Sequence, residues 1–224
     1  KIHNNSIKMM IKESKILKVL SEWDFFNNHD SEGAVAFELF WESLYNLTWD
    51  EFKNDNNTLT PPAFYYTNRF LANYEAHPLF KHDSLNINDK KSLLLTALDQ
   101  AEARYIALDE LEQKSWSVFK ATKARHWARI KAFHSKELFN GGNKHIVNAT
   151  SSTHGPSWRM IVHLKKDNIE AYGIYPGGQS GNPASKHYTD YNEMWTQGKY
   201  IRLNFITDNQ QTDNLVTVNY YPAD

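Results

Sequence analysis

The hydrophobic pattern changes its period once along the chain, near residue 141. Before this point apolar residues recur at three- and four-residue steps, which is typical of amphipathic helices. The pattern predicts helices over residues 7–23, 33–52, 63–76 and 88–112. After this point apolar and polar residues alternate, as they do in half-buried β-strands. We therefore predict an α+β fold, with a mainly helical region over residues 1–140 and a β-rich region over 141–224 that together form one continuous unit.

Helix-capping residues support two of these helices. Asp30 or Ser31 precedes the second helix, and Asn88 or Asp89 precedes the fourth. Their side-chain oxygens can accept hydrogen bonds from the free amides of a first helical turn. The segment 116–139 is less regular, because basic residues interleave with aromatic ones. This interleaving is compatible with binding a single nucleic-acid strand, but the near-neutral chain favours a packed helix or an extended segment with a basic outer face.

Two antiparallel strands are predicted on either side of the polar turn 165–168. Trp158, Met160 and Val162 occupy every second position, which is the period of a strand. We therefore expect residues 157–164 to form a strand, with Trp158 as a buried core aromatic. Residues 169–175 should form its partner. Residues 146–150 should form a short strand or an extended lead-in to the hairpin. Further strands are predicted over 200–205 and 215–221, and a short helix over 188–195 should stop at Gly198.

The loop that follows this hairpin, residues 176–183, contains three glycines and two prolines. Glycine lets the backbone approach a ligand or another backbone segment closely. Proline ends a strand because it cannot donate to the ladder. Two interpretations are open at this stage. The loop is either a structural turn, which is the commoner case, or the wall of a substrate cleft.

Composition excludes several classes of protein. The chain has 224 residues, a net charge of −1 and no cysteine. A nucleic-acid-binding protein normally carries a basic face, and no apolar run is long enough to cross a bilayer. Without cysteine there is no disulfide or thiolate metal site. The motifs of zinc proteases, of P-loops and of Gly-x-Ser-x-Gly hydrolases are absent from the sequence, and the Ser–His residues within 150–154 are best explained as a turn.

Two motifs carry a resemblance to a known family. Residues 154–162 read HGPSWRMIV, and residues 175–183 read YPGGQSGNP, followed by His187 and Tyr188. In this order and at this spacing they resemble the C-terminal end of the β subunit of penicillin acylases, also called penicillin amidases. The resemblance is clear over residues 141–205. Lys186, Tyr191 and His163 depart from the residues that the family usually has.

The resemblance implies an N-terminal nucleophile hydrolase that cleaves N-acyl amide bonds, such as those of penicillins or acyl homoserine lactones. In this family an N-terminal Ser attacks the amide, its own α-amino group acts as the base, and an oxyanion hole stabilises the intermediate. The strands would then belong to an αββα core. Because the chain begins with Lys1, we expect a fragment or processed product, with the nucleophile upstream and no activity in the chain alone.

The same resemblance sets expectations for ligands, partners and location. The partners would be the α subunit, the N-terminal part of the β subunit and a small N-acyl substrate, with no nucleic acid and no membrane span. No cofactor is expected in this chain, calcium being possible only in the full-length family member, and export to the periplasm or outside the cell is typical of the family. Arg159, His163 and Gln179 are the candidate substrate contacts, and no catalytic or metal-binding residue is expected. The alternative function is a non-catalytic binding or interaction module.

Overall fold

The computed structural model describes residues 13–53, 60–166, 169–204 and 220–221. These residues form six α-helices and three β-strands, which confirms the predicted α+β class. The chain divides into two compact units, each described here by itself. Unit 1 comprises residues 1–123 and 136–155, and unit 2 comprises residues 124–135 and 156–224. Residues 141–155 therefore group with the helices, and residues 124–135 group with the strands.

The helices of unit 1 lie within or close to the segments that the sequence predicts. They are α1 (Lys15–Glu22), α2 (Glu32–Thr48), α3 (Phe64–Asn73), α4 (Lys90–Glu110) and α5 (Trp116–Lys120), with 3-10 turns at Asp50–Lys53, Pro78–Phe80 and Asp83–Leu85. Of the predicted capping pairs, Ser31 caps α2 and Asp89 caps α4. The part of the first predicted helix over residues 7–12 lies outside the described residues.

The core of unit 1 forms where α2 packs against α4. Its centre contains Val35 and Leu39 from α2 together with Ala101 and Tyr105 from α4, all of them buried. The small side chain of Ala101 lets the two helix backbones approach closely, since helix separation depends on the side chains at the contact. A second cluster around Leu44, Phe80 and Leu93 continues this core toward the other end of α2. Helix α2 is buried along most of its length, as its many aromatic and apolar residues predict.

The strand predicted over residues 146–150 is wrong, because this segment forms a series of turns. The Nζ of Lys120 donates to the carbonyl oxygens of Gly141 and Gly142 at 2.8 and 3.1 Å, and to Oγ1 of Thr150 at 2.9 Å. The indole of Trp116 also donates to the Gly142 carbonyl, at 2.6 Å. Within the predicted strand, the amide of Ile146 donates to the Asn143 carbonyl oxygen at 3.2 Å, and the amide of Ala149 donates to the Ile146 carbonyl oxygen at 2.8 Å. Local turns therefore use backbone groups that a strand would pair in a ladder.

The segment 116–139 combines a short helix with irregular backbone, so neither a helix nor an extended segment runs over its whole length. Helix α5 ends at Lys120, and its C-cap residue Ala121 has a left-handed φ of 49°. The remaining residues are mainly irregular, with one 3-10 turn at Lys131–Phe133. The amide of Ser135 donates to the Ala124 carbonyl oxygen, and the amide of Ala124 donates to Oγ of Ser135, both at 2.9 Å, which closes residues 124–135 into a loop of unit 2.

Unit 2 contains the predicted hairpin in an antiparallel three-stranded sheet of order β1–β2–β3. The strands are β1 (Arg159–Leu164), β2 (Ile169–Ile174) and β3 (Ile201–Leu203), and the short helix α6 spans Asn192–Thr196. The register pairs Arg159 with Ile174 and Leu164 with Ile169. Most of the predicted strand 215–221 lies outside the described residues.

Trp158 is not the buried core aromatic that the alternating pattern predicts. Its exposed fraction is 48%, and Met160 and Val162 on the same side of the strand are 56% and 40% exposed. The pattern identified the shared face correctly, but the described residues place no layer over it. Burial of a strand face depends on what packs against it, which alternation alone does not specify.

Candidate functional site

Arg159 joins the beginning of β1 to helix α6. Its guanidinium lies 4.5 Å from the centroid of the Trp195 ring, and its Nη1 donates to the Trp195 carbonyl oxygen at 2.8 Å. Burial lowers the pKa of Arg159 from its ordinary value, although an arginine remains charged at neutral pH. The indole of Trp195 in turn donates to the carbonyl oxygen of Pro156 at 3.1 Å. These contacts join Pro156, strand β1 and helix α6.

The loop 176–183 is held against residues 187–192 by several hydrogen bonds. The amide of Gly177 donates to Oδ1 of Asn192 at 2.6 Å, and the amide of Tyr191 donates to the Gly177 carbonyl oxygen at 2.9 Å. Gly177 has a φ of +98°, which side-chain-bearing residues rarely adopt. A Cβ added to Gly178 would overlap the carbonyl oxygen of His187. These positions require glycine, which supports the structural interpretation of the loop.

The same loop also forms one wall of a cavity within unit 2. The cavity has a volume of about 210 Å³. The backbone around Gly177 and Gly178 forms one side, and His126, Trp127 and Phe133 from the loop 124–135 form another. The hydroxyl of Tyr188 donates to the Phe133 carbonyl oxygen at 2.8 Å and links the two sides. The loop is thus both a structural turn and a cavity wall, and the two sequence-based interpretations do not exclude each other.

The ring of His126 lines this cavity, although no pattern in the sequence marks His126 as a site residue. The ring meets Phe133 edge-on, with 5.4 Å between the ring centroids. Its Nδ1 is shielded from solvent and has no hydrogen-bond partner among the described residues. An unpaired buried N–H is costly, so the neutral ring is more stable with its proton on Nε2. The surrounding sequence of alternating basic and aromatic residues gave no signal for this position.

The three predicted contact residues do not line this cavity. Arg159 and His163 are four residues apart on β1, which separates them by about 13 Å along a strand. His163 is exposed, and its Nδ1 lies 3.6 Å from Oε2 of Glu170 across the hairpin. Gln179 is exposed in the loop 176–183. The predicted role of these residues in substrate contact stays a prediction.

The Ser–His arrangement noted in the sequence lies in a turn of unit 1. Oγ of Ser151 is 2.9 Å from Nδ1 of His154. The same Oγ accepts weak hydrogen bonds from the amides of Thr153 and His154, at 3.3 Å each. These are the local contacts of a Ser/Thr turn, and His154 is exposed. A catalytic base is normally oriented by a third group, and the structure records no carboxylate on this histidine among the described residues.

Metal sites and membrane spans are also absent from the described part of the chain. Within residues 13–53, 60–166, 169–204 and 220–221, no three His, Asp or Glu residues are close enough to hold a metal ion together. None of the helices in these ranges combines the length and the apolar character needed to cross a bilayer.

Comparison with known families identifies the class of this protein. The family model described as penicillin amidase matches residues 4–212. Because this match covers most of the chain, the chain belongs to the penicillin amidase family. The motifs at 154–162 and 175–183 lie within the matched range, as do the contacts of Arg159 with Trp195 and the loop 176–183. The chain is therefore a member of a family of acyl amide hydrolases.

Two known proteins show how much of a relative the chain covers. The acyl-homoserine lactone acylase QuiP of Pseudomonas aeruginosa is 39% identical over 54 residues, which are 24% of this chain and 6% of that protein. The thermostable penicillin G acylase from Alcaligenes faecalis aligns over 97% of this chain and 46% of its own, at 14% identity and a TM-score of 0.43. The chain thus spans less than half of the length of either protein.

Proposed function

We propose that this chain is the C-terminal part of an acylase that hydrolyses N-acyl amides, and that it is inactive by itself. The observation that carries this proposal is the penicillin amidase match over residues 4–212. The nucleophile, its amino-group base and the oxyanion donors would then be supplied by other parts of the acylase. Penicillins and acyl homoserine lactones are the candidate substrates, because the two similar proteins are named for them.

The exposure of strand β1 supports the proposal that other parts of an acylase pack against this chain. It is an edge strand of the sheet, and residues 160–164 are exposed although four of the five are apolar. A long apolar edge strand that remained uncovered would favour aggregation. We propose that the remainder of the acylase, meaning the α subunit and the N-terminal part of the β subunit, covers this strand. By analogy with the family, the assembled enzyme would act in the periplasm or outside the cell.

Within the assembled enzyme, unit 2 would help to form the substrate pocket and would supply no catalytic residue. The cavity beside the loop 176–183 has aromatic walls and a volume suited to a small acyl group. Gln179 and His163 are exposed and accessible to a substrate, whereas the guanidinium of Arg159 is already engaged with Trp195. We therefore assign Arg159 a positioning role and retain the other two as proposed contacts.

The test compares this chain with a longer gene product that includes upstream sequence. Both are assayed on a chromogenic phenylacetyl amide and on a long-chain acyl amide. We expect turnover by the longer protein and none above background by the 224-residue chain. Turnover by the isolated chain would overturn the assignment of the nucleophile to other parts. Inactivity of a correctly processed longer protein on a broad acyl panel would favour a non-catalytic binding module.

A further inference from the structure

Two adjoining cavities in unit 1 are not used by the proposed acylase function. The larger has a volume of about 490 Å³ and is walled by Trp41, Tyr45, Phe64 and His145. The smaller has a volume of about 250 Å³, and most of the residues that line it are polar. Glu42 and Lys144 line both cavities. We call the two together the unit 1 groove, which has an aromatic end, a polar end and a charged rim between them.

The aromatic end is built from three separate elements. Trp41 and Tyr45 are four residues apart on α2, so they lie on one face of that helix. Phe64 begins α3, and its ring centroid is 4.5 Å from that of Trp41. The His145 ring stacks on Phe64 at 4.3 Å with 25° between the planes. These contacts pre-form an apolar wall, and a preorganised site loses less entropy when a ligand binds.

The ammonium of Lys144 is the cation at the rim that retains hydrogen-bond donors. It donates to Oε1 of Glu38 at 3.2 Å, and its side chain is 47% exposed. A lysine has three donors, so further donors remain for a ligand. The carboxylate of Glu42 is paired with the guanidinium of Arg104, with 2.8 Å between Oε2 and Nη2. The Nζ of Lys120 already donates to three oxygen atoms within unit 1.

Burial and two neighbouring charges set the protonation state of the His145 ring. Burial lowers the pKa of His145 first, and the nearby charge of Lys144 lowers it further, by more than Glu38 raises it. The imidazole is therefore neutral at pH 7 and can act as part of an aromatic wall.

We propose that the unit 1 groove binds a small aromatic carboxylate. The ring of the ligand packs on the wall formed by Trp41, Phe64 and His145, and its carboxylate accepts a hydrogen bond from Nζ of Lys144. Aromatic packing supplies affinity, and the charge-assisted hydrogen bond selects an anionic head group. A cavity of about 490 Å³ accommodates one or two fused rings. This site is separate from the amide hydrolysis proposed above and does not depend on it.

The first test measures selectivity for the head group without any mutation. The 224-residue chain is titrated at pH 7 with naphthoate, naphthylmethanol and naphthylmethylammonium, which share one ring system and differ in charge. We expect naphthoate to bind with a Kd on the order of 0.1–1 mM, at least about 5-fold tighter than either analogue. Equal affinity for all three compounds, or no saturable binding of naphthoate, would overturn the proposal.

The second test separates the two parts of the site. Lys144→Gln should weaken naphthoate binding by about 5–10-fold and leave naphthylmethanol binding unchanged. The matched control is Lys165→Gln, since Lys165 is 44% exposed and pairs with Glu170 in unit 2; it should change neither affinity. Phe64→Leu should weaken all three compounds by about 3–5-fold, with circular dichroism confirming the fold. Unchanged naphthoate binding in a folded Lys144→Gln or Phe64→Leu variant would contradict the site.

Discussion

The indole of Trp158 covers Gly173 on the neighbouring strand, so closely that a Cβ at Gly173 would overlap the six-membered part of the ring. This packing occurs although Trp158 is half-exposed. Because only part of the ring is buried, we expect Trp158→Ala to lower the free energy of unfolding by about 1–2 kcal/mol, below the 3–5 kcal/mol typical of a core aromatic. A double-mutant cycle with Gly173→Ala checks the contact, since the cost of Gly173→Ala should nearly vanish in the Trp158→Ala background.

The glycines of the loop 176–183 give a second prediction with an internal control. Gly178→Ala places a Cβ against the carbonyl oxygen of His187 and the carboxylate of Asp190. We expect it to lower the free energy of unfolding by about 1–3 kcal/mol. A Cβ at Gly181 meets no atom within 4 Å, so Gly181→Ala should change the denaturant midpoint little. Equal effects of the two variants would show that the loop is not held as described.

We expect the buried ammonium of Lys120 to contribute strongly to the stability of unit 1. Lys120→Met leaves the carbonyl oxygens of Gly141 and Gly142 without this donor, and Lys120 is only 6% exposed. Removing a charged buried donor should cost about 2–4 kcal/mol of stability. Lys123 pairs with Glu137 at the surface, and Lys123→Met should cost less than about 1 kcal/mol. Thermal or chemical denaturation of the two variants measures the difference.

Arg159 allows its structural role to be separated from a substrate contact. Arg159→Lys loses the planar stacking on Trp195 and the geometry of the hydrogen bond to its carbonyl oxygen. We expect the isolated chain to lose about 1–3 kcal/mol of stability. A direct contact with substrate would produce the opposite result, namely an unchanged unfolding midpoint in the chain together with a raised KM in the assembled enzyme.

The buried phenol of Tyr105 should make the stability of the fold depend on pH at high pH. Its hydroxyl donates to Oε2 of Glu32 at 2.9 Å, and burial, followed by the effect of Glu32, raises the pKa of Tyr105 well above its ordinary value. A group whose pKa is higher in the folded chain than in the unfolded chain contributes to the free energy of unfolding. This contribution is fully present below the pKa of the unfolded state, which is about 10 for tyrosine. Above that pH the unfolded chain loses the proton more easily than the folded chain, so the contribution falls as pH rises.

Tyr105→Phe should therefore be less stable than the parent chain at pH 7, by about 1–2 kcal/mol, and the difference should shrink as the pH rises above about 10. Urea denaturation of both proteins between pH 7 and pH 11 measures this difference. Tyr66→Phe serves as the control because Tyr66 is exposed. A difference that stays constant over this range would contradict the assigned burial of the phenol.

Local signals in the sequence predicted the candidate site only in part. The motifs at 154–162 and 175–183 identified the family, and the glycines of the second motif located a loop that does line a cavity. Arg159 was selected as a substrate contact, but the fold places it on Trp195, which is 36 residues further along the chain. His126 was not selected, because the loop that brings it to the cavity depends on the closure between Ala124 and Ser135.

The sequence by itself determined the elements whose signals are local. The periods of apolar residues set the helices α2 and α4 and the hairpin of β1 and β2, and Ser31 and Asp89 fixed helix starts, since these effects act over a few neighbouring residues. Only the tertiary structure decided what is buried and what the irregular segments do. Lys120 holds residues 141–150 in turns rather than a strand, and β1 stays exposed, because both outcomes depend on partners far away in the sequence.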